Sequence, residues 1–390
     1  MSAGTGLERA RAAGRADEHV IRAAHPVAYP ALRALRGPVR RIPGLGVVVR
    51  DAALLRGVLM DSDRFTKTGP GSPSDLWTPV LGPSVLLNME GADHAALRRR
   101  LAPLFTPATV ESLVSGGLAG PLAAVTARLT AGEAVDVVAE ATRNASTMIA
   151  QLVGLPADHM DETLFRRVSG ITGVVRLTRP RLTPTQAAAA RGVLAELTDH
   201  ARAAYRAGDE STVPGRMRAL DLSEDEAMGA VGAFVLTGTE TLVSYVPRLA
   251  ALLIDSGWFD RLRREPERLE TAIAEGLRVT TPSPVMLRSA VADARIGHVR
   301  VRAGDRVILA TFAADAALGP FDPERNPAAS LKQLWFGAGA HFCLGAPLAL
   351  AQVRATMRAL LDAGELRVVR RDAARGVLIP SYGRLVVRAA

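Results

Sequence analysis

The sequence predicts a mainly α-helical protein with small β-sheets, built as one large helical domain with a β-rich margin. From about residue 95 to residue 278, apolar residues recur at spacings of three and four, which is typical of helices packed on a core. Short runs of β-branched residues lie outside that stretch. No internal repeat or low-complexity linker divides the 390 residues, so we expect a single domain over residues 1–390.

Individual elements can be placed by their local signals. The first part of the chain carries a strand signal at residues 47–49. Ser223 followed by Glu226 forms a capping-box pattern, and the apolar pattern behind it predicts a long buried helix to about Ile254. A second helix is expected from about Pro266 until just before Pro282. Strands are expected at residues 287–291, 299–301, 307–310, 366–369 and 385–387, with a turn at residues 303–305.

Composition narrows the class of protein. The chain has 48 basic and 39 acidic residues, a net charge of +9, but the arginines are spread along its length and aromatic residues make up only 4%. No basic block interleaves with aromatic side chains, so we expect no nucleic-acid partner. An acidic redox protein remains open as a partner. Charged residues interrupt the N-terminus and no apolar run of about 18 residues is evident, so we expect a cytoplasmic protein without membrane attachment.

The single cysteine, Cys343, is the first candidate for chemistry. It follows a glycine-containing loop and stands at the start of an expected helix, with Pro347 in the first turns. A helix N-terminus favours the thiolate, which can ligate a metal or act as a nucleophile. The alternative is an ordinary buried thiol. His341, two residues away, does not have the usual spacing of a Cys/His catalytic pair.

The neighbours of Cys343 carry a family resemblance. Residues 336–345, Phe-Gly-Ala-Gly-Ala-His-Phe-Cys-Leu-Gly, resemble the haem-binding signature F-G-x-G-x-H-x-C-x-G of the cytochrome P450 superfamily at every fixed position. The resemblance implies the cytochrome P450 fold and haem b (iron protoporphyrin IX), with Cys343 as the ligand of the metal. It places Phe336 and Gly337 at the cofactor. Thiolate ligation of the haem iron is a known property of this family, and it is the resemblance that implies it for Cys343.

A second segment agrees with the first. Residues 237–241, Thr-Gly-Thr-Glu-Thr, resemble the family's A-G-x-[DE]-T, with Thr237 in place of the usual alanine. A glycine within a helix costs up to about 1 kcal/mol, and close approach of a haem would explain Gly238. The resemblance implies catalytic roles for Glu240 and Thr241 in proton delivery. The alternative is that Glu240 faces solvent and Thr241 bonds back to its own helix.

Further positions match structural parts of the family. Glu275 and Arg278 match E-x-x-R, and Arg325 is expected as the third member of that buried ion-pair network. The segment at residues 312–315, Phe-Ala-Ala-Asp, departs from the usual A-N-R-D, and residues 348–352 depart from L-A-R-x-E. Both departures put the redox-partner surface in doubt. Haem propionates need cationic or donor partners, and the candidates at family positions are His94, Arg98, Arg288 and His341.

The resemblance implies a monooxygenase that inserts one oxygen atom from O2 into an organic small molecule, most simply by hydroxylation of a secondary metabolite. Electrons would come from separate ferredoxin and ferredoxin reductase chains. The alternatives are a haem-binding scaffold that activates a partner enzyme, a peroxide-driven oxygenase and an oxidative-coupling enzyme. Family-like substrate contacts fall at residues 67–88, 156–191, 281–287 and 379–382. Arg176, Arg179 and Arg181 could meet an acidic substrate or form a solvated loop.

Overall fold

A computed structural model describes residues 3–155, 162–173 and 181–390. In these ranges helices predominate, as the apolar spacing predicts. The longer helices of the first half are α1 Ala3–Ala24, α2 Ala28–Ala34, α3 Ala52–Met60, α4 Pro73–Leu81, α5 Gly91–Leu101, α6 Pro107–Thr130, α7 Val137–Val153 and α8 Glu162–Gly173. They are followed by α9 Pro184–Ala207, α10 Val213–Ala219, α11 Glu224–Ser256, α12 Trp258–Arg264, α13 Leu269–Thr280, α14 Thr311–Ala316 and α15 Ala346–Asp362.

The strands form three small sheets. Their bounds are β1 Val39–Ile42, β2 Gly46–Val49, β3 Phe65–Thr66, β4 Val135–Asp136, β5 Met286–Ala290, β6 Ala294–Ile296, β7 Val299–Val301, β8 Arg306–Leu309, β9 Leu366–Ala373 and β10 Tyr382–Ala389. The largest sheet has the order β1-β2-β8-β5-β3, the second β4-β10-β9 and the third β6-β7. Strands β2 and β8 pair in parallel, which places Val47 beside Val307.

The long helix α11 begins as the capping box predicts. The Glu226 backbone N–H donates to Ser223 Oγ at 3.2 Å, and the Ser223 N–H donates to Glu226 Oε2 at 2.9 Å. The helix ends at Ser256, two residues beyond the predicted end, where Gly257 takes a left-handed conformation with φ 77°. Its N-terminal half packs with α7 and α9 in one apolar cluster, and its C-terminal half packs with α13, α15 and the sheets in another.

The other predicted elements are present with shifted ends. A 3-10 turn at Pro266–Arg268 precedes α13, so the helix predicted from Pro266 begins with one tighter turn. Each predicted strand is found as β2, β5, β7, β8, β9 or β10. Strands β9 and β10 are longer than predicted, because their polar, exposed residues pair along the backbone without an alternating apolar pattern.

Two helices, α6 and α11, are long and apolar enough to cross a membrane by length and composition alone. Neither helix is an unbroken apolar run of the kind considered in the sequence, because Glu111 and Arg128 interrupt α6 and Glu240 and Arg248 interrupt α11. Just over half (53%) of the apolar window of α11 is buried inside the protein. Helix α6 packs against α15 and α7.

The E-x-x-R pair, Glu275 and Arg278, is fully buried. Arg278 Nε donates to Glu275 Oε2 at 2.8 Å, and Glu275 also accepts the backbone N–H groups of Asp322 and Ala328. The prediction that Arg325 completes this network is wrong. Its side chain is 68% exposed and pairs with Asp322 at 2.8 Å, because backbone N–H groups already saturate the Glu275 carboxylate. The remaining Arg278 donors bond the carbonyls of Asp315, Gly319 and Pro320.

Candidate functional site

A cavity of about 570 Å³ lies where α11, the cysteine loop and the largest sheet meet. Three of the four predicted substrate regions contribute to it, represented by Trp77, Val285 and Ile379. Of the fourth region, residues 156–161 and 174–180 lie outside the described residues, and with them Arg176 and Arg179. Arg181 is described and pairs with Asp75 at 3.0 Å. The walls are mostly aliphatic and aromatic, which suits an apolar ligand.

The cysteine loop is shaped by backbone needs that only glycine meets. Gly337 has φ 83° and Gly339 has φ 68°, both left-handed. An added Cβ at Gly339 would lie 2.6 Å from the Leu59 carbonyl oxygen, so no larger residue fits there. Phe336 accepts the Cys343 backbone N–H at 2.9 Å, which closes the loop. Phe336, Gly337 and Cys343 all line the cavity.

The Cys343 thiol faces the cavity just before α15. The cysteine is exposed, but into the cavity, so protein surrounds the sulfur on most sides. This burial raises the pKa of the free thiol. Backbone N–H groups of Gly345 and Ala346, together with the positive charges of Lys67 and Arg98, act in the opposite direction. The sulfur thus has the donors at a helix start that stabilise a thiolate once a cation is bound to it.

Helix α11 contributes part of the segment at residues 237–241 to the lining of the same cavity. Thr237, Gly238 and Thr241 line the cavity, whereas the half-buried Glu240 is not part of the lining. An added Cβ at Gly238 would meet no atom within 4 Å, so the glycine leaves open space. The Thr241 hydroxyl donates to the Thr237 carbonyl at 3.3 Å, and the Thr237 hydroxyl donates to that of Ala233 at 2.7 Å. Both hydroxyls therefore bond back to the helix, as the alternative interpretation of Thr241 expects.

The four predicted propionate partners are brought together from three parts of the chain. His94 and Arg98 lie one turn apart on α5, Arg288 lies on β5 and His341 lies in the cysteine loop, and all four line the cavity. The rings of His94 and His341 are 4.3 Å apart. Burial lowers the pKa of His94 to about 4 and that of Arg288 to about 10. Neighbouring positive charge adds to the effect on His94.

Glu90 holds His341 in place. Its Oε2 lies 2.6 Å from His341 Nε2, and its Oε1 accepts the Lys67 backbone N–H and the Thr66 hydroxyl. Burial alone would raise the pKa of Glu90, but these hydrogen bonds outweigh it and lower the pKa to about 2. Burial also lowers the pKa of His341, while the bond to Glu90 opposes that change.

The sequence did not identify three residues of the cavity lining as functional candidates, namely the cation Lys67, Arg306 and His25. It also did not identify Glu90, which bonds the lining residue His341. Lys67 is one of only two lysines among 48 basic residues, and that rarity was an available signal. Burial, reinforced by Arg288, lowers the pKa of Lys67 to about 8. Glu90, Arg306 and His25 carry no comparable signal, because their roles arise from loops and strands that meet only in the fold.

The cavity lining and the cysteine loop together indicate which kind of cofactor the protein can bind. Among the described residues the lining holds four Lys or Arg side chains and no carboxylate, next to a thiol and a glycine that leaves space open. This arrangement fits a flat, apolar group that carries an iron atom and two carboxylates, which is a haem bound through a thiolate. Lys67, His94, Arg98, Arg288 and His341 would hold its carboxylates.

Comparisons with known proteins identify the family. The family model described as Cytochrome P450 matches residues 266–378. The chain is 30% identical over 288 residues to the C-19 steroid 1alpha-hydroxylase of Sorangium cellulosum, covering 71% of this chain and 73% of that protein. It is also 30% identical over 309 residues to the erythromycin C-12 hydroxylase of Saccharopolyspora erythraea, covering 74% and 76%.

Solved structures agree. The structure of CalO2 matches with a TM-score of 0.76 at 27% identity, over 95% of this chain and 97% of that one. A mutant of P450 EryK in complex with erythromycin B matches with a TM-score of 0.75 at 26% identity, over 91% and 93%. The chain belongs to the cytochrome P450 family. It is a monooxygenase of the bacterial type with a haem-thiolate cofactor.

Proposed function

We propose that the chain is one domain, residues 1–390, that binds haem b through Cys343 and hydroxylates a secondary metabolite in the bacterial cytoplasm. One cavity carries this proposal. Cys343, Gly238 with its open space, and four Lys or Arg residues all line it, and no Asp or Glu among the described residues does. Similarity to the steroid and erythromycin hydroxylases supports a multi-ring or macrocyclic substrate class. Electrons would come from a separate ferredoxin and its reductase.

Each residue has a defined task in this proposal. Cys343 would bind the iron, and the N–H groups of Gly345 and Ala346 would help to stabilise the iron-bound thiolate against the effect of burial, which raises the pKa of the free thiol. His94, Arg98, Arg288 and His341 bind the propionates, together with the supporting Lys67. When bound, the haem supplies dioxygen activation, with the thiolate pushing electron density towards the oxygen.

Thr241 and Glu240 would deliver the protons that the reaction consumes. The Thr241 hydroxyl gives its hydrogen to the Thr237 carbonyl, so its oxygen is free to accept a hydrogen bond within the cavity. A water held there can pass a proton without leaving the apolar chamber. Glu240, which does not line the cavity, would act through Thr241 or through such a water. The apolar walls exclude other water and hold the substrate over the open space at Gly238.

The direct test is the absorption spectrum of the purified, reduced protein under carbon monoxide, for wild type and Cys343→Ser. Wild type is expected to give the strongly red-shifted Soret band of thiolate-ligated haem, and the variant to lose it while keeping its far-ultraviolet circular dichroism. Haem without that band in wild type would refute Cys343 ligation. Folded protein that takes up no haem would refute the cofactor assignment.

A further inference from the structure

Arg306 is a cation in the cavity wall whose side chain has no hydrogen-bond or ion-pair partner among the described residues. It lies half-buried on β8 and contributes to the cavity lining, and its Nε is buried without a hydrogen bond. Within the described part of the chain, no carboxylate or carbonyl bonds any of its nitrogens. Burying a charge without compensation is costly, so such a group normally meets an anion in the working protein.

The position of the Arg306 stem is set by packing. An added Cβ at Gly71 would lie 3.2 Å from Arg306 Cδ and 3.3 Å from its Cγ, so the loop backbone lies directly against the stem. An added Cβ at Gly46 would lie 3.1 Å from Arg306 Cβ. The acid on that loop, Asp75, is engaged elsewhere, because it accepts the Gly71 N–H at 2.8 Å and pairs with Arg181.

Arg306 also makes no hydrogen bond or ion pair with the propionate-binding group among the described residues. Lys67 is influenced by Arg288, Glu90, Cys343 and Arg98, so these residues form one connected set. Burial lowers the pKa of Arg306, and no charged neighbour contributes to that shift. In the haem-loaded protein, two propionates and the Glu90 carboxylate would balance Lys67, Arg98 and Arg288. Arg306 is then the cation left over in the cavity.

We propose that Arg306 binds a carboxylate of the substrate, so that this enzyme oxidises an amphipathic carboxylic acid. The inference rests on the proposed function and narrows its substrate class. The cavity that Arg306 lines is largely apolar and would hold the body of such an acid, with contributions from Leu76, Trp77, Leu86, Phe234 and Val285. The stem of Arg306 packs beside Gly71, and its planar guanidinium can form a bidentate bond to a carboxylate.

The test compares acids with their uncharged esters. Dodecanoate, hexadecanoate and deoxycholate, each paired with its methyl ester, are titrated against haem-loaded wild type, Arg306→Gln, Arg306→Lys and the matched control Arg302→Gln. Arg302 is an exposed arginine on the adjoining turn, so its variant has the same change of charge. Binding is read from the Soret band and, independently of the haem ligand, by equilibrium dialysis.

At least one acid is expected to bind wild type about tenfold or more tightly than its ester, the loss typical of a charge-assisted hydrogen bond. Arg306→Gln should remove that preference, Arg306→Lys should keep part of it, and Arg302→Gln should keep all of it. The proposal is overturned if no acid is preferred, if the preference survives in Arg306→Gln, or if Arg302→Gln loses it equally. Haem loss in Arg306→Gln would assign the cation to a propionate and also overturn it. Failure of the proposed function would appear instead in the carbon monoxide spectrum.

Discussion

Asp315 is a buried acid with only part of its carboxylate satisfied. Its Oδ2 accepts the Thr281 hydroxyl at 2.8 Å, and its Oδ1 has no partner among the described residues. Burial raises the pKa of Asp315 to about 7, although the Thr281 bond and the charge of Arg278 oppose the shift. The folded protein therefore holds a proton that the unfolded chain releases near pH 4, so stability falls as pH rises from about 4 to about 7.

Asp315→Asn should remove this pH dependence, because the amide oxygen still accepts from Thr281 and carries no charge to bury. We expect the variant and wild type to have similar free energies of unfolding near pH 4, and the variant to be more stable by about 2–4 kcal/mol at pH 8. Urea unfolding at both pH values measures this. Exposed Asp63→Asn is the control. A variant less stable than wild type at pH 8 would mean that Asp315 is ionised and stabilised by Arg278.

At the residue scale, the sequence identified those cavity residues that local spacing marks. His94 and Arg98 share a helix face, and Cys343 sits in a loop whose glycines mark its conformation. Arg325 was predicted wrongly, because its partner is decided by which groups reach Glu275 in three dimensions. Arg306 was missed for the same reason, since a single arginine on a short strand looks like any of the other arginines.

Helix α11 separates two reasons for a glycine within a helix. Added Cβ atoms at Gly229 and Gly232 would lie 2.8 Å from Val85 Cγ1 and 3.1 Å from Leu81 Cδ2, so packing explains these two. Gly238 has no such neighbour and does not have positive φ. Its cost to the helix is therefore unexplained by the fold and is explained by the space that it leaves in the cavity.

Gly238→Ala is expected to raise the free energy of unfolding of the haem-free protein by up to about 1 kcal/mol, as for an ordinary helical glycine. The same methyl group should weaken imidazole binding to the haem-loaded protein, because it enters the open space. Gly229→Ala is the matched control and should lower stability without affecting imidazole binding. Unchanged imidazole affinity in Gly238→Ala would show that the space is not used by ligands.

Helix α1 is tied to α11 by a buried ion pair. Arg248 Nε and Nη2 each lie 2.7 Å from a carboxylate oxygen of Asp17, and both side chains are buried. Arg248 also bonds the carbonyls of Thr280 and Pro380, next to the cavity residue Ile379. The pair therefore joins the N-terminal helix to one wall of the cavity.

Asp17→Ala should lower the free energy of unfolding by about 3–5 kcal/mol, because it leaves the Arg248 charge buried without its partner. Asp372→Ala, which breaks the exposed pair with Arg370, should change it by less than about 1 kcal/mol. Guanidinium unfolding of the three proteins makes the comparison. Equal effects of the two substitutions would mean that water reaches Arg248 in the folded state.

On the scale of the whole molecule, sequence predicted the helical class and the family but not the sheet order. The parallel pairing of β2 with β8 joins Val47 to Val307 across most of the chain, and nothing local to either strand encodes that partner. The cavity is a product of the same long-range contacts, so its residues were found only where a family motif marked them. Overall charge, in contrast, is a property that composition gives directly.

The net charge of +9 should guide the approach of an electron donor. Opposite charges attract over about a Debye length, which shrinks as salt is added. We expect the rate constant for reduction of the haem-loaded protein by an acidic [2Fe–2S] ferredoxin to fall about tenfold or more between roughly 20 and 300 mM salt. Stopped-flow absorbance measures it. Photoreduced 5-deazariboflavin, a small neutral donor, is the control and should show little change. A ferredoxin rate independent of salt would mean that the excess arginines do not face the partner, and that its docking depends on apolar contacts instead.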